Sequence, residues 1–348
     1  MPSPADRLDS IRDVEHLEDL LSEPTPAVIE ALARLDGDVL VLGVGGKMGP
    51  TLARMARRAF DEAGSRRRVI GVARFSDPSL AERLKGFGVE TIAADLLDPA
   101  QVDRLPDAPN VVFMAGMKFG STGQEPMTWA VNCLTPALAA RRYRDSRVVA
   151  FSTGNVYGLT RPEQGGSKEE DAPDPRGEYA MSCLGRERIF QHFSLTQGTP
   201  TVLFRLNYAV EMRYGVLADL ARKVYEGRPV GLAMGRLNAV WQGDANATAL
   251  QSLELAASPA RIVNATGPEI LEVRHLAEVF GRLMDKPVTF EGAEAPDALL
   301  NDASRTIAQL GKPRIDIDRL MRWTADWIAR GGQSLGKPTK FEVRDGRF

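Results

Sequence analysis

Residues 37–49, GDVLVLGVGGKMG, constrain this chain more than any other stretch. Val39, Leu40, Val41 and Leu42 form a short apolar run without alternation. That is the pattern of a strand buried on both faces, as in a parallel sheet. The glycines that follow permit a tight turn and let backbone N–H groups approach a ligand with no Cβ in the way. From Pro50 the period changes. Leu52, Met55, Ala56 and Ala59 recur at three- and four-residue spacing, with Arg54, Arg57 and Arg58 between them, which predicts a helix. A helix N-terminus presents free N–H groups to phosphate, and strand, glycine turn and helix in this order are the fingerprint of a dinucleotide site. Gly43, Gly46 and Gly49 fit G-x-x-G-x-x-G. Met48 stands where the stricter G-x-G-x-x-G has its last glycine, and Gly45 is an extra. A purely structural turn is the competing reading of these glycines.

The apolar fraction of 43% is ample for a core, and 26% charged residues is ordinary. A chain of 348 residues allows one large domain or two modest ones. The net charge is −2, so a nucleic-acid partner has no global electrostatic support. The arginine runs at 66–68 and 141–144 flank predicted helix ends, where cations suit the dipole. Cys133 and Cys183 give neither a CxxC pair nor a disulfide framework. His16, His192 and His275 lie far apart, so no metal centre is expected. The N-terminus lacks the apolar core of a signal peptide, and no apolar run approaches the roughly 20 residues that span a bilayer. A cytoplasmic protein without membrane contact is the expectation.

Along the chain, residues 1–36 read as a helical extension. Strand 68–72 is followed by Ala73, Arg74 and Phe75. An acid here would accept from both ribose hydroxyls of NAD, whereas Arg74 would attract the 2′-phosphate of NADP. Arg74 therefore favours NADP over NAD, although Asp77 is near. A helix at 79–85 leads to strand 90–94 and Asp95, at the strand end where open α/β sheets bind ligands. Asp95 also suits an N-cap for the turn at 96–99. Strands follow at 111–115, ending in Ala115 and Gly116, at 148–151, ending in Ser152, Thr153 and Gly154, and at 201–206. Helices at 127–143 and 178–195 alternate with them. About six strands alternating with helices imply right-handed crossovers and a Rossmann-type doubly wound parallel α/β sheet over 37–206. Beyond Asn207 the regularity weakens into a smaller mixed α/β substrate lobe, 207–330. It holds a helix at 216–226 and short helices at 276–284, 307–310 and 320–329. Segment 236–266, with short strands at 240–241 and 262–263, is expected to return to the first domain. The tail, 331–348, carries one expected strand at 341–343.

Several segments in order resemble the extended short-chain dehydrogenases/reductases, the NAD-dependent epimerase/dehydratase family. The likeness covers about 37–329. Asp95 in AADLLD is similar to the family's Gly-Asp-Leu acid, which meets the adenine amino group. Asn132 in WAVNCLTPAL matches the asparagine of the fourth helix. FSTGNVYG at 151–158 is similar to Ser-Ser-x-x-x-Tyr-Gly, and EEDAPDPRGEY at 169–179 resembles the lead-in to the catalytic tyrosine. FRLNYAV at 204–210 resembles the Arg-x-x-Asn segment of the substrate cleft, one residue short, and WQGDANA at 241–247 stands at the Val-x-Asp-Val-Ala segment. The resemblance makes Thr153 and Tyr179 the catalytic hydroxyls. Hydride transfer at a carbinol needs a group to take or give the hydroxyl proton, and Thr153 would hold the same oxygen. Apart from the likeness, Thr153 reads as a strand-end turn residue and Tyr179 as a half-buried helix aromatic.

One departure is large. The family's Tyr-x-x-x-Lys lysine lowers the tyrosine pKa and holds the nicotinamide ribose, but YAMSC puts Cys183 in its place. An unaided phenol has a pKa near 10, so the phenolate lies about 4 kcal/mol uphill at pH 7. Lys118, in AGMKFG, is offered as the substitute cation. Lys47 reads as a phosphate contact. The cofactor set is then Gly43, Gly46, Lys47, Met48, Gly49, Arg74, Asp95, Ala115, Gly116 and Cys183. Asn155, Arg205, Asn207 and Arg236 are the candidate substrate contacts. Family epimerases often hold a nucleotide sugar by two arginines of the second lobe. Arg236 is near one such position, but Glu294, Ala295, Pro296 and Asp297 stand at the other, where acids would repel a pyrophosphate. A smaller sugar or sugar acid is therefore expected, in a homodimer formed through the helices bearing Asn132 and Tyr179. The alternative, favoured by Cys183, is a non-catalytic dinucleotide-binding sensor or assembly subunit.

Overall fold

The structure, a computed structural model, describes residues 10–118, 123–337 and 339–346. Residues 1–9 of the expected helical extension and residues 119–122, beyond Lys118, lie outside the described residues.

Two helices come first, α1 (Val14–Leu21) and α2 (Pro26–Arg34). Their starts follow from capping. The Asp13 carboxylate accepts from the His16 N–H, and the Thr25 hydroxyl accepts from the Val28 N–H with Pro26 in the first turn. The sheet then builds outward from β1 (Val39–Leu42). On one side, α3 (Gly49–Glu62), β2 (Val69–Ala73), α4 (Pro78–Gly86) and β3 (Glu90–Ala93) follow. Next come α5 (Pro99–Asp103), absent from the sequence expectation, and β4 (Asn110–Phe113) on the other side of β1. A helical run, α6 (Glu125–Trp129), a widened π-helical turn (Ala130–Leu134) and α7 (Thr135–Arg142), crosses to β5 (Arg147–Thr153). Helix α8 (Gly177–Gln197) crosses to β6 (Thr201–Leu206).

A seventh strand, Arg261–Ala265, adds to the edge beyond β6, so the order is 261–265, β6, β5, β4, β1, β2, β3, all parallel. The strand expected at 262–263 in the returning segment is this edge strand, lengthened to 261–265. The winding direction reverses between β1 and β4, and ligands of open α/β sheets bind at such a switch point. Alternate residues of β1 serve opposite faces. Val39 and Val41 enter the core beneath α3, while Leu40 and Leu42 enter the core beneath α7 and α8. Burial on both faces explains the unbroken apolar run.

The substrate lobe has its own core, centred on Trp241 and Trp323, whose rings meet edge to face at 5.7 Å. The N-terminal extension belongs to it: Ile11, Leu17, Leu20 and Leu21 are buried there. On its other side α1 touches the first domain, because Arg54 of α3 pairs with Asp19 and Arg58 donates to the Asp19 carbonyl and Ser22 hydroxyl. The expected strand at 341–343 is a turn instead. Val343 N–H bonds back to the Lys340 carbonyl, and Phe341 alone is sunk in the lobe core. A single anchored aromatic between glycines and charges left no partner strand to pair with.

Because Leu17 is fully buried, Leu17→Ala should cost about 2–5 kcal/mol of unfolding free energy in a urea titration. A loss below about 1 kcal/mol would mean that the extension does not share the lobe core.

Candidate active site

One cleft of about 820 Å³ opens above the C-terminal ends of β1, β4, β5 and β6. Its floor is the glycine turn. Gly43 has φ +86°, and a Cβ there would lie 2.6 Å from the Ala115 nitrogen. At Gly49 a Cβ would strike the Val44 carbonyl oxygen at 2.3 Å. Backbone of β1 and β4 can approach this closely only without side chains. Met48, at the N-cap of α3, supplies no side-chain cap, so the first N–H groups of that helix are left for a ligand. These features fit the diphosphate of a dinucleotide.

Above the floor stand the hydroxyls. Thr153 ends β5, and its Oγ1 accepts from the Asn155 backbone N–H at 3.2 Å and from Asn155 Nδ2 at 2.9 Å. Tyr179, in the first turn of α8, lines the cleft together with Thr153 and packs against Cys183. Burial pushes its phenol far above 10, the neighbouring thiol adds to that, and the Arg186 guanidinium and the Thr153 hydroxyl oppose it. Lys118 lines the cleft with its Nζ 5.8 Å from the centre of the Tyr179 ring, and burial pushes its pKa down to about 8. Cys183 is fully buried behind Tyr179 and raised by burial. It does not reach the cleft, so the expectation that it contacts cofactor is corrected: one helical turn below the phenol, a side chain this short ends inside the protein.

Arg186 was missed. It is 6% exposed, with Nη1 donating to the Phe151 carbonyl at 2.7 Å and Nη2 to Asn132 Oδ1 at 2.6 Å. Asn132 in turn accepts from the Met117 N–H and donates to the Met117 carbonyl and the Ser182 hydroxyl. Gly116 makes room: a Cβ there would lie 2.6 Å from Arg186 Nη2. The signal available in sequence was the seven-residue interval from Tyr179, which puts both on one helix face. Neither Tyr208, Arg213 and Tyr214 nor the cleft residues of the two terminal segments, among them Glu18, Leu335, Lys337 and Thr339, were foreseen.

The family model for the NAD dependent epimerase/dehydratase family matches residues 39–242, more than half of the chain. The protein belongs to this family. Among solved structures it is similar to DesIV, a dTDP-glucose 4,6-dehydratase from Streptomyces venezuelae solved with NAD (TM-score 0.71, 16% identity, 84% of this chain and 97% of that one). It is also similar to the UDP-glucose 4-epimerase of Thermus thermophilus solved with NAD (0.68, 21%, 83% and 98%). A third is MoeE5 solved with UDP-glucose and NAD (0.68, 20%, 85% and 99%). At these identities the likeness concerns the fold. No curated protein matches in sequence.

For a member of the epimerase/dehydratase family, the remaining expected positions divide sharply. Gly43, Gly46, Lys47, Met48, Gly49, Gly116, Asn155 and Asn207 line the cleft. Ala115 packs under Gly43. Arg74 is exposed beyond β2 and is not a cleft residue. Asp95 accepts from the Leu97 N–H and so caps its own turn. Two substrate expectations are corrected. Arg205 is 1% exposed and gives Nε and Nη2 to the Glu187 carboxylate at 2.9 and 2.6 Å, with its guanidinium 4.5 Å from the Tyr157 ring centre. Arg236 pairs with Glu272 and Glu294 away from the cleft. Both arginines are committed to acids of the protein itself. Asp297, the other acid expected to repel a pyrophosphate, is held by Arg344 of the tail. Among the described residues no three His, Cys, Asp or Glu side chains gather as metal ligands, and no helix is long and apolar enough to cross a membrane.

Arg205→Ala would strand the fully buried Glu187, and should cost about 3–5 kcal/mol in denaturant unfolding. Unchanged stability with a raised substrate KM would return Arg205 to the substrate.

Proposed function

We propose that this protein is a nicotinamide-dependent oxidoreductase or epimerase acting on a hydroxyl of a sugar or sugar acid, with Tyr179 as the proton-transfer group and Thr153 beside it. The observation that carries the reading is that Thr153 and Tyr179 both line a cleft floored by an uncapped glycine turn.

The dinucleotide, when bound, supplies the hydride acceptor and donor. NAD is the cofactor in the family's description. Arg74 supports NADP by its charge alone. Lys47 and Met48 offer backbone N–H groups to the diphosphate, while the Gly46 N–H closes the turn onto the Gly43 carbonyl. Tyr179 Oη takes the substrate's hydroxyl proton as the carbinol C–H leaves with its electron pair, and Thr153 hydrogen-bonds the same oxygen. Stabilising the phenolate falls to Arg186 from behind and Lys118 from the ring face, since Cys183 brings no positive charge. Asn155 holds the Thr153 hydroxyl in place.

Tyr179→Phe should abolish turnover on a sugar panel assayed by nicotinamide absorbance. Full activity in that variant would refute the assignment. Removing a cation near the phenol raises the phenol's pKa, so Lys118→Ala should move the rising limb of the oxidation pH–rate profile upward by roughly one to two units. An unmoved limb would leave Arg186 as the electrostatic partner.

We also propose a homodimer. Met127, Trp129 and Leu134 on the helical run before β5 and Met181 on α8 are 48%, 37%, 48% and 45% exposed, and such apolar exposure on packed neighbours suits an interface. Light scattering should give twice the chain mass, and Leu134→Arg with Met181→Arg should give the folded monomer. A monomeric parent protein would refute this.

A further inference from the structure

The wall facing Tyr179 is rich in donors and poor in free acceptors. Lys47 leaves the glycine turn, yet its ammonium is delivered to the substrate lobe. Nζ donates to the Ala209 carbonyl at 3.2 Å and lies 3.9 Å from the Tyr214 ring centre. Burial pushes its pKa down to about 7, and the positive charges of Arg213 and Lys118 act in the same direction. Glu211 is the acid that opposes this. Its carboxylate, however, already accepts from the Arg213 backbone N–H and Nε. Glu18, the acid on the outer wall, is shared by Arg83 and Arg213. Asp219 accepts the Thr339 N–H and hydroxyl. Among the described residues Glu18 is thus the acid that lines the cleft, with Glu211 and Asp219 outside the lining, while the ammoniums of Lys47 and Lys118 both line it.

A second, independent observation points the same way. Asn207 is 1% exposed and lines the cleft, and its Nδ2 has no acceptor among the described residues. A buried donor without an acceptor costs about 1–3 kcal/mol, which an incoming oxygen would relieve. Beside it Tyr208 holds φ at +44°, a backbone conformation costly for a bulky residue and concentrated at ligand sites.

We propose that the cleft selects a sugar bearing an anionic group, a carboxylate or a phosphate ester, and that Lys47 reads that group while Lys118 supplies the second positive charge. This rests on the sugar-hydroxyl reading above and narrows its substrate class. Lys47 reads the substrate and not the cofactor diphosphate, because its Nζ is tethered to Ala209 and Tyr214 of the substrate lobe. The diphosphate has the backbone N–H groups of the turn.

The test is calorimetric titration of the full chain. NAD goes first; then glucuronate, gluconate, glucose 6-phosphate and neutral glucose are titrated into the NAD-loaded protein. At least one anionic probe should bind about tenfold or more tighter than glucose, a gap of about 1.4 kcal/mol. Lys47→Met should remove that preference, Lys47→Arg should keep most of it, and the NAD Kd should change little in either. A carboxylate preference over the phosphate ester, or the reverse, names the source of the charge. Neutral glucose binding as well as every anion overturns the proposal, as does Lys47→Met weakening NAD while the anion preference persists. Anion binding without turnover keeps this proposal and sinks the oxidoreductase reading. Turnover confined to neutral sugars does the opposite.

Discussion

Helix α8 is held to the sheet by buried charge, and the geometry of the cleft depends on it. Two adjacent residues, Arg186 and Glu187, both face inward. Arg186 bonds the Phe151 carbonyl of β5 and Asn132 of the preceding helical run. Glu187 takes the Ser152 hydroxyl of β5 at 2.6 Å and the Arg205 guanidinium of β6. A buried ion pair contributes little net stability against an apolar replacement. Directional bonds, unlike an apolar stripe, fix the helix in rotation and in register. Thr153 follows Ser152 and Tyr179 lies seven residues before Arg186, so the polar clamp sets the distance between these two cleft hydroxyls. The network continues beneath them: Arg205 stacks on Tyr157, whose hydroxyl donates to Asn264 on the edge strand at 2.9 Å.

This clamp also explains which parts of the protein could be read in the sequence. Local pattern carries local structure. The apolar run at 39–42, the glycines after it and the helical period from Pro50 identify β1, the turn and α3 without reference to anything distant. Thr153 and Tyr179, which line the cleft, were singled out by the family resemblance and not by local period, which reads them as a turn residue and a half-buried aromatic. Side-chain commitments were not legible. Arg205 was read as a cleft residue because its segment lies at the cleft, yet its partner Glu187 is 18 positions away on another element. Arg236 has Glu294 58 positions away. Nothing in spacing states that an arginine is already spoken for. The strand expected at 262–263 formed and the one expected at 341–343 did not, for one reason: whether a short apolar stretch becomes a strand depends on a free sheet edge beside it.

The terminal segments bind the two lobes into one body. Helix α1 buries its apolar face in the substrate lobe, and its polar face meets Arg54 and Arg58 of α3. Glu18 reaches Arg83 of α4 and Arg213 of the substrate lobe together. From the other end of the chain, Leu335 N–H bonds the Arg213 carbonyl, Thr339 bonds Asp219, and Arg344 bonds Asp297. Residues of both segments line the cleft. Part of its outer wall, Glu18 and residues within 333–339, is thus built by segments that lie outside the matched family region.

The exchange of lysine for Cys183 has an electrostatic consequence that the surrounding residues partly offset. A lysine at that position would place a mobile ammonium in the cleft. Cys183 instead leaves a buried thiol against the phenol, which by itself disfavours the phenolate. Arg186, one turn further along the same face, returns a permanent positive charge to the region, and a guanidinium keeps its charge when buried where an ammonium gives it up. Lys118 shows the contrast, since burial brings its pKa down to about 8. The fixed charge is therefore behind the tyrosine and the titrating charges are in front of it, on the side where substrate enters. Lys118 lies over the Tyr179 ring at 5.8 Å, whereas Lys47 is held by the Ala209 carbonyl and the Tyr214 ring.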